Sequence, residues 1–371
     1  MAEDILNVLV VDDSISYRKI ICDIIENQKN VNVVGTAYNG RIAISRIKAL
    51  KPDLILLDIN MPEVDGLDVL KYIKKELPDI GAIIISSVPN KGGETAVKAL
   101  ELGAFDFIPK PGFDTVEENM DAVKRVLLPM MNAFIRRRDI KRVLRKKSPF
   151  ADYIGGAKAS TYSSSDITER MNRISGKLQG RPEVVVIGIS TGGPNALATM
   201  LTGLPADLNL PILIVQHMPP QFTQPLAESL NDKCPLLVKE AADGDLIAPN
   251  TVYIAPGGKQ MKIKPGPDDR KLVAITDDPP ENSCKPSVDY LFRSVAEFYG
   301  GKTIGVIMTG MGTDGTDGTR HIKEKGARII AQNEATCTVY GMPKQVIESG
   351  LADVISPLDD IAEHIVRFVK G

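Results

Sequence analysis

Short apolar runs that end in a polar residue, each followed by a segment of helical periodicity, recur in two separate stretches of this chain. In the first stretch Leu6–Val11 runs into Asp12 and Asp13, and Ile20, Ile21, Ile24 and Ile25 follow at helical spacing. Val31–Ala37 predicts a second strand, Gly40–Leu50 a helix, and Leu54–Asp58 a third strand. Ala82–Ser86 and Ala104–Ile108 complete the set, and the pattern ends near Leu128. Strands this apolar, alternating with amphipathic helices, imply a parallel sheet covered on both faces. At Glu183 the alternation restarts, with Val184–Gly188, Pro211–Gln216, Ile304–Met308 and Arg328–Ala331 as buried strands and Ile361–Val369 as a closing amphipathic helix. Val252–Ala255 and Met261–Ile263 are expected to pair as a hairpin around Pro256-Gly257-Gly258. The expected fold class is therefore α/β twice over. An N-terminal five-stranded parallel sheet is joined to a C-terminal doubly wound domain with an inserted hairpin.

A chain of 371 residues is too long for one ordinary core and suits two domains. The expected division is 1–128, a connecting segment 129–180, and 181–371. Within that segment, RRRDIKRVLRKK (136–147) carries eight basic residues against one acid, and Ile140, Val143 and Leu144 keep helical spacing. Gly155-Gly156 and Ser160–Ser165 read as a polar linker. A solvated helix and linker is the simplest account of the basic run, and a docking surface for an acidic partner or a membrane-proximal array is the alternative. A net charge of -2 gives no reason to expect nucleic-acid binding. Cys22, Cys234, Cys284 and Cys337 form no CxxC pair, which argues against a disulfide framework or a spaced zinc motif and favours a reducing compartment. The start, MAEDILNVLVVDDS, lacks a basic n-region, and no apolar run approaches the roughly 20 residues a membrane span needs. A cytoplasmic protein without direct membrane insertion is expected.

Polar residues collect at the predicted strand ends of the first stretch: Asp12 and Asp13 at the end of strand one, Asp58 at the end of strand three, Ser86 at the end of strand four and Lys110 after strand five. Ligand sites of open parallel sheets lie at the carboxyl ends of strands, so these residues can converge. Three carboxylates repel one another, and a magnesium ion with oxygen ligands relieves that repulsion. A carboxylate beside such an ion can attack phosphorus to give an aspartyl phosphate. Ser86 and Lys110 would then hold the phosphoryl oxygens.

VVDDS, LLDINMPEVDGL, ISS and FIPKP, spread over about residues 5–128, resemble the receiver domain of two-component response regulators. The resemblance implies Asp58 as phospho-acceptor and Mg2+ held by Asp12, Asp13, Asp58 and the backbone carbonyl of Asn60. Asp12 is implied to act mainly through water. Ser86, Phe107 and Lys110 take the switch positions.

In the second stretch, Ser190 lies in GISTGGP between an apolar strand and the helical run Asn195–Leu201. Its glycines permit a tight turn, and the helix start offers N–H groups to an oxyanion. The spelling satisfies G-x-S-x-G. A serine needs a base. Of the chain's three histidines, His217 ends a predicted strand, His321 lies in a helical TRHIKEKG segment, and His364 lies in the last helix. Strand-end position favours His217. Asp314 and Asp317, in the glycine-rich loop after Met308, are both candidates to orient the imidazole. The same loop and the Ser190 turn offer an alternative as phosphate cradles, although no Walker lysine follows them. A DNA-binding output domain is the other alternative, without a recognisable helix-turn-helix.

Six ordered blocks, IGISTGGPNAL, IVQHMPPQFT, YIAPGG, KPSVDYLFRSVA, IMTGMGTDG and AQNEATCTVYGMP, resemble the catalytic domain of the chemotaxis protein-glutamate methylesterases, the CheB family. The resemblance implies Ser190 as nucleophile, His217 as base and Asp314 as acid, with no role for Asp317. It makes the Met311 N–H an oxyanion donor and Thr191 a polar support. Gln260 stands where the family block often has His, and Cys284 reads as incidental. The implied activity is hydrolysis of glutamate γ-methyl esters on methylated chemoreceptor cytoplasmic domains, with glutamine deamidation as a second reaction and no cofactor for the hydrolysis. A chemotaxis histidine kinase is the implied phosphodonor, and the unphosphorylated receiver is expected to cover the esterase cleft.

Overall fold

The computed structural model describes residues 5–87, 92–146 and 180–370. The Gly155-Gly156 and Ser160–Ser165 segments lie outside the described residues. The N-terminal unit runs β1 (Leu6–Val11), α1 (Ile15–Glu26), β2 (Val31–Ala37), α2 (Gly40–Leu50), β3 (Leu54–Leu57), α3 (Gly66–Glu76), β4 (Gly81–Ser86), α4 (Gly92–Glu101), β5 (Asp106–Pro109) and α5 (Val116–Lys146). Its five strands are parallel in the order β2-β1-β3-β4-β5, the flavodoxin-like arrangement. Strands β1 and β3 are buried on both faces, apart from a half-buried Asn7, which is why their sequences read as continuous apolar runs. The last helix runs unbroken through position 128 and past Pro129 to Lys146.

The C-terminal unit follows as β6 (Val184–Ile189), α6 (Gly193–Thr202), β7 (Ile212–Gln216), α7 (Thr223–Asn231), β8 (Leu237–Glu240), β9 (Thr251–Ile254), β10 (Gln260–Pro265) and β11 (Lys271–Thr276). It continues with α8 (Val288–Phe298), β12 (Thr303–Ile307), α9 (Thr316–Glu324), β13 (Arg328–Gln332), α10 (Met342–Glu348), β14 (Val354–Ser356) and α11 (Ile361–Lys370). Seven parallel strands form one sheet in the order β14-β13-β12-β6-β7-β9-β8. From β6 the chain builds outward through β7 on one side and through β12 on the other, so the β12–β6–β7 region is the topological switch point.

The expected hairpin needs correction. Val252 and its neighbours pair with β7 and β8 inside the parallel sheet, where β9 is fully buried. The hairpin is instead β10 with β11, in register from Gln260–Thr276 to Pro265–Lys271, turning at Gly266.

The two units share one apolar cluster. It joins Val97 and Leu100 of α4 and Phe107 of β5 to Leu197 of α6 and to Phe222 and Leu226 at α7. Polar contacts reinforce it: Asn195 donates to the Leu100 carbonyl at 2.9 Å, and Glu101 pairs with Lys233 at 2.5 Å. The α4 helix start approaches so closely that a Cβ on Gly93 would meet the Gln221 carbonyl.

Candidate active site

Strand register brings Ser190 and His217 side by side. Ile189 of β6 pairs with Gln216 of β7, and the next residue on each strand is Ser190 or His217. The His217 amide donates to the Ile189 carbonyl at 3.1 Å, and Ser190 N donates to Thr309 O beyond β12 at 3.0 Å. The turn after Ser190 requires glycine. Gly192 sits at φ 76°, and a Cβ there would strike Thr338, while a Cβ on Gly193 would fall on Gln216 Oε1. Gln216 Nε2 in turn donates to the Ser190 carbonyl at 3.0 Å. Among the described residues no hydrogen bond joins the Ser190 hydroxyl directly to the imidazole.

Asp314 lies 2.8 Å from His217 Nε2. With a carboxylate as acceptor, Nε2 carries the proton and Nδ1 is left with its lone pair. The carboxylate is buried and accepts further bonds from Ser287 Oγ at 2.8 Å and from the amides of Val288 at 2.7 Å and Asp289 at 3.2 Å, around the start of α8. Burial alone would raise its pKa, but the His217 hydrogen bond and charge, with the Val288 and Ser287 donors, hold it below the usual carboxylate range. Burial likewise disfavours a charged His217, yet Asp314 and the neighbouring Cys284 raise the imidazole above its ordinary value. Asp289, behind Asp314, is pushed up to about 6 by burial and by the adjacent acids, although the Gly318 amide bonds it at 2.6 Å.

Asp317 and His321 turn elsewhere. Asp317 pairs with Arg320 at 3.1 Å, and His321 Nδ1 bonds the Asp317 carbonyl on α9. His364 is half-buried in α11, where burial lowers its pKa. The Met311 amide makes no hydrogen bond among the described residues, and its side chain packs against the N-terminal unit's apolar cluster. Thr191 is buried, and its side chain lowers the pKa of Asp106 of β5, a carboxyl that burial nonetheless pushes up to about 6. A groove of about 800 Å³ opens between α5 at Ala133 and Arg136 and the loops at Met311, Val339 and Tyr340.

At the other sheet, Lys110 Nζ stands 2.7 Å from both Asp12 and Asp58. Burial raises the Asp12 pKa, against the pull of Lys110. Burial also opposes the Lys110 charge, but the two acids outweigh it and its pKa rises. Asp13 is exposed at the rim, and single oxygens of Asp12, Asp13 and Asp58 lie within 4.8 Å of one another. Asn60 Nδ2 reaches Ser86 Oγ at 3.4 Å, and Tyr17 lies under Lys110 with its hydroxyl on the Pro111 carbonyl.

Family comparisons match both halves. The family described as CheB methylesterase matches residues 185–365, and the response regulator receiver domain matches residues 8–121. A Desulfotalea psychrophila protein named protein-glutamate methylesterase/protein-glutamine glutaminase is 48% identical over 369 residues, covering 98% of this chain and 99% of that protein. The chain belongs to the CheB methylesterase family. A Clostridium acetobutylicum CheB relative of the same name is 38% identical, with 99% and 98% covered. The crystal structure of the Thermotoga maritima CheB methylesterase catalytic domain is 43% identical, with a TM-score of 0.50 over 51% of this chain and all of that one.

Several residues of this CheB site were not legible as such. Gln260 is fully buried, accepts from Ser287 N at 2.8 Å and donates to the Pro279 carbonyl at 3.1 Å, so it anchors the segment that caps α8. Ser287, in KPSVD, had a usable signal as a serine directly before a helical run. Cys284, expected to be incidental, has its sulfur 3.8 Å from His217 Nδ1. Among the described residues no helix is long and apolar enough to cross a membrane.

Proposed function

We propose that the chain hydrolyses glutamate γ-methyl esters on the cytoplasmic domains of chemoreceptors and deamidates receptor glutamines, under control of receiver phosphorylation. The observation that carries this reading is the 2.8 Å bond from His217 to Asp314, a carboxylate held also by Asn282, Ser287 and the Val288 and Asp289 amides, beside Ser190 at the adjoining strand end.

His217 Nδ1 takes the Ser190 proton as Oγ attacks the ester carbonyl carbon. The tetrahedral oxyanion is met by N–H groups, with Met311 N–H and the Ser190–Gly193 turn as the candidate donors. As the carbonyl–methoxy bond breaks, the imidazolium returns its proton and methanol leaves. Water then loses a proton to His217 and cleaves the acyl-enzyme, which regenerates Ser190 and leaves a glutamate. With a glutamine substrate the same steps expel ammonia. Asp314 keeps the ring in the productive tautomer and balances the imidazolium charge. Thr191 supports the turn behind the nucleophile.

Asp58 is the proposed phospho-acceptor, with a histidine kinase of the chemotaxis system as donor. The receiver's donor set suits magnesium: the oxygens of Asp12, Asp13 and Asp58 cluster, and Asp12 Oδ2 is buried with an ion pair to Lys110 but no aligned hydrogen bond. These three residues and the Asn60 carbonyl would hold Mg2+, which neutralises the carboxylates and an approaching phosphoryl group. Lys110 and Ser86 would bind phosphoryl oxygens, and Phe107 would report the change to the esterase. The α4 and β5 contacts with α6 and α7 support a resting state in which the receiver restricts the cleft. Residues 1–128, 129–180 and 181–371 are the proposed receiver, connector and esterase, in the cytoplasm.

Ser190→Ala is expected to abolish methanol release from methylated receptors while leaving the circular dichroism spectrum and the unfolding transition intact. Undiminished release would remove the nucleophile assignment.

A further inference from the structure

The imidazole of His217 has two occupied sides. Asp314 takes Nε2 at 2.8 Å, and Cys284 Sγ faces Nδ1 at 3.8 Å. We propose that Cys284 and His217 form an inhibitory zinc(II) site on the catalytic base. Its inhibitory effect rests on the hydrolase reading above, whereas metal binding itself does not.

Three features carry the inference. The first is the donor pair, a thiol and an imidazole, the combination that selects zinc over magnesium or calcium. The second is spacing. Tetrahedral zinc with bonds of about 2.3 Å to sulfur and about 2.0–2.1 Å to nitrogen sets the two donors about 3.6 Å apart. The observed 3.8 Å needs only a small side-chain adjustment. The third is the surrounding support. Asp314 accepting from Nε2 is the carboxylate–histidine arrangement that fixes a metal-binding ring and points the other lone pair outward. Cys284 is itself held by paired backbone bonds with Glu281 at 2.7 and 3.1 Å, next to the buried Gln260. Both side chains are partly open to solvent.

The chain separation of 67 residues explains why no spacing motif announces the pair. On binding, the Cys284 thiol gives its proton to solvent, and zinc takes one sulfur and one nitrogen ligand, with water completing the shell. Nδ1 is then unable to accept the Ser190 proton, so acylation and deacylation both stop.

The test uses the full-length chain with Mg2+ in excess to saturate the receiver carboxylates. Zn2+ is titrated against methanol release, and Co2+ is titrated in parallel against thiolate-to-cobalt charge-transfer absorption. In Cys284→Ser the zinc concentration that halves the variant's own metal-free rate should rise by about tenfold or more, since losing a direct ligand costs at least as much as losing an outer-shell partner. The cobalt band should vanish although Cys22, Cys234 and Cys337 remain. Equal zinc sensitivity in Cys284→Ser, or a persisting band, would overturn the site. A Cys284-dependent band with undiminished turnover would overturn the inhibitory role, and with it the assignment of His217 as base.

Discussion

The ring of Phe107 lies 4.3 Å from that of Phe222, centroid to centroid, with the planes tilted by 35°. Phe107, the proposed switch residue, lies on β5 of the receiver, and Phe222 precedes α7 just beyond His217 on the esterase side. Both rings are buried by the contact between the two units. A stacked aromatic pair contributes about 0.5–1.5 kcal/mol beyond its buried area. Phe222→Ala should therefore loosen the resting arrangement and raise the unphosphorylated rate by about two- to tenfold. Methanol release measured without phosphodonor checks this, and an unchanged basal rate would count against the contact as a restraint.

The proposed base, His217, must be neutral to accept the serine proton, and Asp314 raises its pKa against the effect of burial. Esterase kcat/KM should consequently be low in acid and climb with pH through an inflection above the ordinary histidine value. Asp314→Asn removes the charge responsible, so its inflection should move to lower pH while the rate falls by about 10³–10⁴-fold. Matched pH–rate profiles decide the matter, and an inflection that stays in place would detach Asp314 from His217.

Ser287 performs two tasks with one hydroxyl. It caps α8 by accepting from Tyr290 N, and it donates to the buried Asp314 at 2.8 Å. Losing a cap costs about 1 kcal/mol, and losing a hydrogen bond to a charged group costs about 1.5–3 kcal/mol. Ser287→Ala should lower the unfolding free energy of the C-terminal unit by about 2.5–4 kcal/mol and reduce kcat. Urea denaturation followed by circular dichroism reads the first effect. A change within about 0.5 kcal/mol would show that solvent replaces the hydroxyl.

Asp58, the proposed phospho-acceptor, stands 2.7 Å from Lys110 in a buried ion pair. Asp58→Asn should abolish stimulation by a small-molecule phosphodonor in the full chain. The measurement is the ratio of methanol release with and without donor. A ratio equal to that of the unsubstituted chain would place the acceptor elsewhere.

The apolar runs made both sheets legible, because a strand covered on two faces needs continuous hydrophobic sequence. They also put Asp12, Asp58, Ser190 and His217 at strand ends, where an open parallel sheet gathers its chemistry. The same runs misled at Val252. Apolar character identified a strand but not its partner, and burial between β7 and β8 won over the nearby Met261–Ile263 segment. Choosing between Asp314 and Asp317 from the residues alone was equally out of reach. They lie three positions apart in one loop, yet only Asp314 turns in towards Ser287 and His217.

Periodicity and turn chemistry, both local properties, therefore determined two α/β units, their strand ends and the glycine turn at Ser190. Tertiary structure alone decided the partners: Asp314 on His217, Cys284 on the other ring nitrogen, Phe107 on Phe222. Such contacts join segments distant in the chain. They depend on strand register and on how loops pack above the sheet, which no local run of residues encodes.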